Sequence, residues 1–131
     1  MEITARAYQE ILTQAREQLP CEACGYLLGT GDTLSVNYPM TNGDHSSDHF
    51  SFLPAEQFAA MRHARAEGLH ILANWHSHPS SPSRPSAEDI RLANDPRIAY
   101  LILSLAQPEP VLNAFSIRKG IVERLPLHIL P

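Results

Sequence analysis

The chain predicts an α/β fold, a mixed β-sheet flanked by helices, and three observations carry that expectation. Segments of helical periodicity alternate with short apolar runs that suit strands. Some of those runs are joined by turns too tight for a crossover, Thr30-Gly31-Asp32 and Lys119-Gly120 among them, so the sheet cannot be wholly parallel. The 131 residues, 44% hydrophobic and 18% charged, suit one core of ordinary size, so residues 1–131 read as a single domain.

Tyr8, Ile11, Leu12, Ala15 and Leu19 recur at helical spacing and Pro20 closes the segment, which predicts an amphipathic helix over 5–19. Cys24 to Gly29 and Thr33 to Tyr38 predict two strands of a hairpin. The stretch from Pro39 to Ser51 is rich in turn formers, among them Asn42-Gly43, and predicts an exposed loop. Ala55 to Glu67 predicts a second helix, stopped by Gly68 as its C-terminal cap. Leu69 to His76 predicts a strand, after which Pro79, Pro82 and Pro85 allow no regular element. Ser86 to Asp89 resembles a helix start with Ser86 as N-cap, and that short helix ends near Asp95-Pro96. Ile98 to Leu105, Val111 to Ile117 and Ile121 to Ile129 predict the last three strands.

Composition excludes several roles. The longest near-apolar run, Ile98 to Ala106, is about half the roughly 20 residues a membrane-spanning helix needs. The opening Met-Glu-Ile-Thr-Ala-Arg lacks the basic and then apolar order of a secretory signal, so the expected location is the cytoplasm. A net charge of −4 with no basic block argues against a nucleic-acid partner held through phosphates.

The chemistry concentrates at His76-Ser77-His78 and at Ser86 and Asp89. Side chains at i and i+2 of a strand share a face, so His76 and His78 can offer two imidazoles to one metal ion. A helix starting at Ser86 would present Asp89 in its first turn as a third, anionic ligand. Three protein ligands with one open position is the arrangement of catalytic zinc, which makes hydroxide available near neutral pH. Glu22, just past the Pro20 break, is a candidate to take the proton. Other groups fit less well. His70 shares the parity of His76 but lies about 20 Å along the strand, far beyond a zinc–nitrogen bond of about 2 Å. His45, His49, Asp44 and Asp48 read better as an exposed loop than as a second metal patch. Cys21 and Cys24 are the only cysteines, so they cannot close a structural zinc site alone; a redox pair is the alternative, without the strand-then-helix context of thioredoxin-like motifs, and they read better as buried or spectator thiols. Trp75 reads as core packing on the opposite strand face. Pro20-Cys21-Glu22-Ala23-Cys24 matches half of the zinc deaminase pattern, but no His-x-Glu occurs in the chain and that reading fails. Asp89 committed to a capping box would bind a metal poorly, so the two readings of that residue compete.

Taken together, Glu22, His76-Ser77-His78, the seven residues Pro79 to Pro85, and Ser86-Ala87-Glu88-Asp89 resemble the signature of the JAMM metalloproteases, also called MPN+ or Jab-type peptidases. Cys24 to Gly29, the Gly68-Leu69 strand entry and Tyr100 to Ser104 resemble the small stand-alone bacterial members, including the Mec type. The resemblance implies a cytidine-deaminase-like JAMM/MPN architecture. It implies one zinc ion held by His76, His78 and Asp89, Glu22 as general base, and Ser86 as hydrogen-bond donor to the tetrahedral oxyanion. It further implies a peptidase or isopeptidase acting at the Gly-Gly tail of a ubiquitin-like sulfur carrier protein of the ThiS/MoaD type, releasing cysteine or another amino acid. The alternative is a non-catalytic scaffold of the same fold.

Overall fold

The computed structural model describes residues 1–131. Its elements are β1 (Glu2–Ile3), α1 (Ala5–Glu17), β2 (Cys24–Thr30), β3 (Thr33–Met40), α2 (Pro54–Ala66), β4 (His70–His78), α3 (Ala87–Leu92), β5 (Ala99–Ser104), β6 (Val111–Arg118), β7 (Ile121–Leu125) and β8 (His128–Ile129). The eight strands form one sheet in the order β7-β6-β5-β4-β2-β3-β1-β8. β4 and β5 run parallel, with α3 in the connection between them, while β2 pairs antiparallel with both β3 and β4. The mixed sheet flanked by helices that the sequence predicts is therefore present.

Two expectations about strands are corrected. The run from Ile121 to Ile129 is not one strand: it breaks between Leu125 and His128, where Pro126 has no N–H to give to a ladder. β7 stays on β6, whereas β8 pairs in parallel with β1 at the opposite edge of the sheet. Three consecutive Cα–Cα steps reach at most about 11 Å, so the two edges come close and the sheet curls round on itself. The second correction is β1, two residues long and too short to show any periodicity.

Alternation along the strands sends apolar side chains to two faces. Leu27, Ala73, Trp75, Leu101 and Leu103 pack against Ala7, Ile11, Leu12 and Ala15 of α1. Thr4 caps that helix by accepting from the Ala7 N–H at 3.1 Å, and it ends at Glu17, shorter than its apolar spacing implies. On the other face, Tyr26 and Leu28 pack against Ala60 and Ala64 of α2. Farther across that face, Tyr100, Ile102, Phe115 and Ile117 meet Ile90 and Ala93 around α3. Gly68 takes φ +68 to end α2, a left-handed conformation that a side chain would strain. Between α2 and α3 this second face is open, and His76 and His78 share its parity.

Candidate metal centre

β4 continues two residues beyond its predicted end, so both histidines stand on regular strand. Ser77 between them is fully buried, and it fixes what lies beside them. Its N–H donates to the Ala23 carbonyl at 2.9 Å, and its hydroxyl oxygen accepts the Ala23 N–H at 2.8 Å. Cys24 pairs with His76, and the Ala23–Ser77 bonds carry that register one step further. The next residue, Glu22, thus comes opposite His78 and on its face of the sheet.

The third component arrives from α3. Ser86 accepts the Asp89 N–H at 3.0 Å, and Asp89 Oδ2 accepts the Ser86 N–H at 2.9 Å, which closes a capping box. The same Oδ2 lies 3.1 Å from His76 Nε2 and 3.2 Å from His78 Nε2, and the two Nε2 atoms are 3.1 Å apart. The competition expected between cap and metal at Asp89 does not arise, because the cap aims the carboxylate at the imidazoles. Only its hydrogen-bond acceptance from Ser86 is spent on the helix. The Ser86 hydroxyl accepts in this box and keeps its proton free to donate elsewhere.

The donor set suits a cation. His78 Nδ1–H donates to the Pro82 carbonyl at 2.8 Å, which leaves Nε2 of the neutral ring with a lone pair. That lone pair faces a carboxylate oxygen and a second imidazole nitrogen, all within 4.8 Å of one another. Converging acceptors without enough protons repel, and a divalent ion at their common centre relieves that repulsion. Burial pushes the His76 pKa below its ordinary value, which favours the deprotonated form a metal needs. Burial alone would raise the Asp89 carboxyl, but the two imidazoles beside it and the Ser86 N–H hold it well below the usual carboxylate range.

Glu22 is buried, and its Oε1 has no hydrogen-bond partner. Burial raises its pKa to about 8, with His78 pulling the other way. A carboxyl that ionises near 4.5 when unfolded and near 8 when folded costs the folded state stability as pH rises between those values. In chelator, Glu22→Gln is therefore expected to gain on the wild type as pH rises, its melting advantage being about 10 °C or more larger at pH 8.5 than at pH 5. Scanning fluorimetry of both proteins checks this, and parallel melting curves at the two pH values would refute the burial of the charge.

The segment from Pro39 to Ser51 is only partly the exposed loop its composition predicts. Asn42 is buried and anchors it, its Nδ2 donating to the Glu22 carbonyl at 3.1 Å and the His49 carbonyl at 3.0 Å. The Glu22 N–H in turn donates to the Ser46 carbonyl at 2.8 Å, and Phe50 stacks on His76 with ring centroids 4.6 Å apart. Sequence reasoning missed Ser77, Asn42 and Phe50, and the position of Ser77 between the two histidines was the only available signal. The remaining candidates are not among the converging atoms: His70 is exposed, and His49, although it lines the same cavity as His76 and Asp89, pairs with Asp44 at 3.0 Å. Trp75 is fully buried in the core under α1, as expected. Cys24 is buried, its thiol pushed up to about 12 by burial, and Cys21 is half-buried, with no disulfide between them. No helix is long and apolar enough to cross a membrane.

Known proteins resemble this chain in sequence and fold. The CysO-cysteine peptidase of Mycobacterium bovis is 28% identical over 131 residues, 98% of this chain and 90% of the relative. The solution structure of protein DSY2949 from Desulfitobacterium hafniense is 46% identical with a TM-score of 0.89, over 98% of this chain and 91% of that one. A structure described as JAMM, a metalloprotease-like zinc site in the proteasome and signalosome, is 25% identical with a TM-score of 0.62, over all of this chain and 98% of the other. Residues 4–118 match the family described as prokaryotic homologs of the JAB domain, to which the chain belongs.

Proposed function

We propose that the protein is a zinc-dependent peptidase or isopeptidase of the JAMM type, acting as one domain over residues 1–131. Its substrate on this reading is the C-terminal Gly-Gly tail of a ubiquitin-like sulfur carrier, from which it releases cysteine or another amino acid. The observation that carries the reading is the convergence of His76 Nε2, His78 Nε2 and Asp89 Oδ2 beside a buried carboxylate that has an unpartnered oxygen. The likeness to a peptidase named for a cysteine adduct supports the choice of substrate.

His76, His78 and Asp89 would hold the zinc. When bound, zinc supplies Lewis-acid polarisation of the scissile carbonyl and of water. Glu22 takes the proton of the attacking water and returns it to the leaving amine, a task for which a pKa near neutrality is suited. Ser86 has an uncommitted hydroxyl proton with which to stabilise the oxyanion. Two glycines without Cβ let the tail backbone approach the cluster closely.

The test is hydrolysis of a carrier ending Gly-Gly-Cys by zinc-loaded enzyme, followed by mass spectrometry. Loss of the terminal residue is expected, abolished by chelation and restored by added zinc. An adduct left intact by zinc-loaded protein would refute the substrate assignment.

A further inference from the structure

On the open face between α2 and α3, directly beside the metal cluster, lies a cavity of about 340 Å³ that includes His76 and Asp89 in its lining. Tyr26, Asn74 and Tyr100 lie in register across β2, β4 and β5, and all three line it. Phe50 and Phe52 form an aromatic side, their rings 5.4 Å apart, with Phe52 also 4.9 Å from Tyr26. Leu92 and Ile98 contribute apolar surface from the side of α3. Tyr26 and Tyr100 already have partners, Gln57 at 3.0 Å and the Asp95 backbone at 3.0 Å. Asn74 differs, since its Oδ1 is shut off from solvent and has no hydrogen-bond partner. A buried carbonyl oxygen left unpaired is costly, and a donor arriving with a ligand would remove that cost.

We infer that this cavity receives the side chain on the amine side of the scissile bond, and that it selects a large residue with an apolar body and a hydrogen-bond donor at its tip. The inference rests on the Gly-Gly reading above and deepens it. The two glycines next to the cleaved bond have no side chain with which to fill a cavity adjoining His76 and Asp89, so the side chain nearest the cluster comes from across that bond. A cysteine side chain would leave most of 340 Å³ empty, whereas a tyrosine covers the aromatic side and brings an O–H towards Asn74. Of the charged groups lining the cavity, Asp89 belongs to the metal cluster and Asp95 is paired with Arg97 at 3.0 Å, which leaves Glu88 against His49 and no lysine or arginine to hold an acidic side chain.

The experiment extends a ThiS/MoaD-type carrier genetically beyond Gly-Gly by one residue, Gly, Cys, Phe, Tyr or Asp, and compares kcat/KM for its removal by zinc-loaded enzyme. Tyr is expected to exceed Gly and Cys by about tenfold or more, with Phe between and Asp lowest. In Asn74→Leu the advantage of Tyr over Phe is expected to vanish. Cys as the fastest substrate, or rates independent of the residue, would overturn the inference while leaving the peptidase reading intact. Failure to cleave any of the five would overturn both. The wild-type ranking requires no variant to fold.

Discussion

His78→Ala is expected to purify with almost no zinc, against about one ion per chain in the wild type, and to hydrolyse substrate at least about 10³-fold more slowly. The loss follows from how His78 is held. Its Nδ1–H is committed to the Pro82 carbonyl, so Nε2 is presented as a fixed lone pair, and no other side chain of the chain stands ready to replace it. Removing one of three ligands leaves an imidazole and a carboxylate, too few to keep a divalent ion through purification. Asp89→Asn separates metal binding from folding at the third ligand. An asparagine oxygen can still accept the Ser86 N–H that Asp89 Oδ2 accepts at 2.9 Å, so the α3 cap survives while the negative charge is lost. That variant is expected to melt close to the metal-free wild type and to bind zinc weakly. Elemental analysis of the three proteins checks the zinc contents, and melting curves of Asp89→Asn and wild type in chelator check the fold. A wild type that takes up no zinc even when it is supplied would favour the scaffold reading and end the hydrolytic one.

The parts of this site that were legible in sequence are those fixed by local geometry. Two histidines at i and i+2 share a strand face whatever the fold, and Ser86 with Asp89 specifies a helix start within four residues. What had to be seen was how distant segments meet. Glu22 enters through the antiparallel register of β2 on β4, which hydrogen bonds between Ala23 and Ser77 fix, and no periodicity within either strand encodes that pairing. The Pro39 to Ser51 loop looked solvent-exposed because its composition is polar. Its polar groups instead satisfy backbone around Glu22 through Asn42, and Phe50 reaches His76. The split of the last strand at Pro126 follows a rule visible in sequence, but its consequence depends on β1, which is too short to be read from a pattern. The cavity beside the cluster arises from the spacing of α2 and α3 over the sheet, a property of packing that no single segment carries.

Glu22→Gln is expected to keep wild-type zinc content and lose about 10²- to 10⁴-fold in turnover, the range that a positioned general base contributes. The substitution preserves size and shape at a buried position, and it leaves the backbone bonds of Glu22 with Ser46 and Asn42 untouched. What it removes is the capacity to accept a proton. Because Glu22 is not among the three converging ligand atoms, metal content and turnover should part company here, whereas in His78→Ala they fall together. That contrast tells a base from a ligand. Glu22→Asp probes the position of the base, since it retains the charge but withdraws it by one methylene from the site that the Ala23–Ser77 bonds define. An intermediate loss is expected, larger than a change in packing alone would produce, because proton transfer requires hydrogen-bond reach of about 3 Å. Wild-type turnover in Glu22→Gln with zinc fully bound would mean that another group takes the proton, and would detach the unpartnered Oε1 from the chemistry altogether.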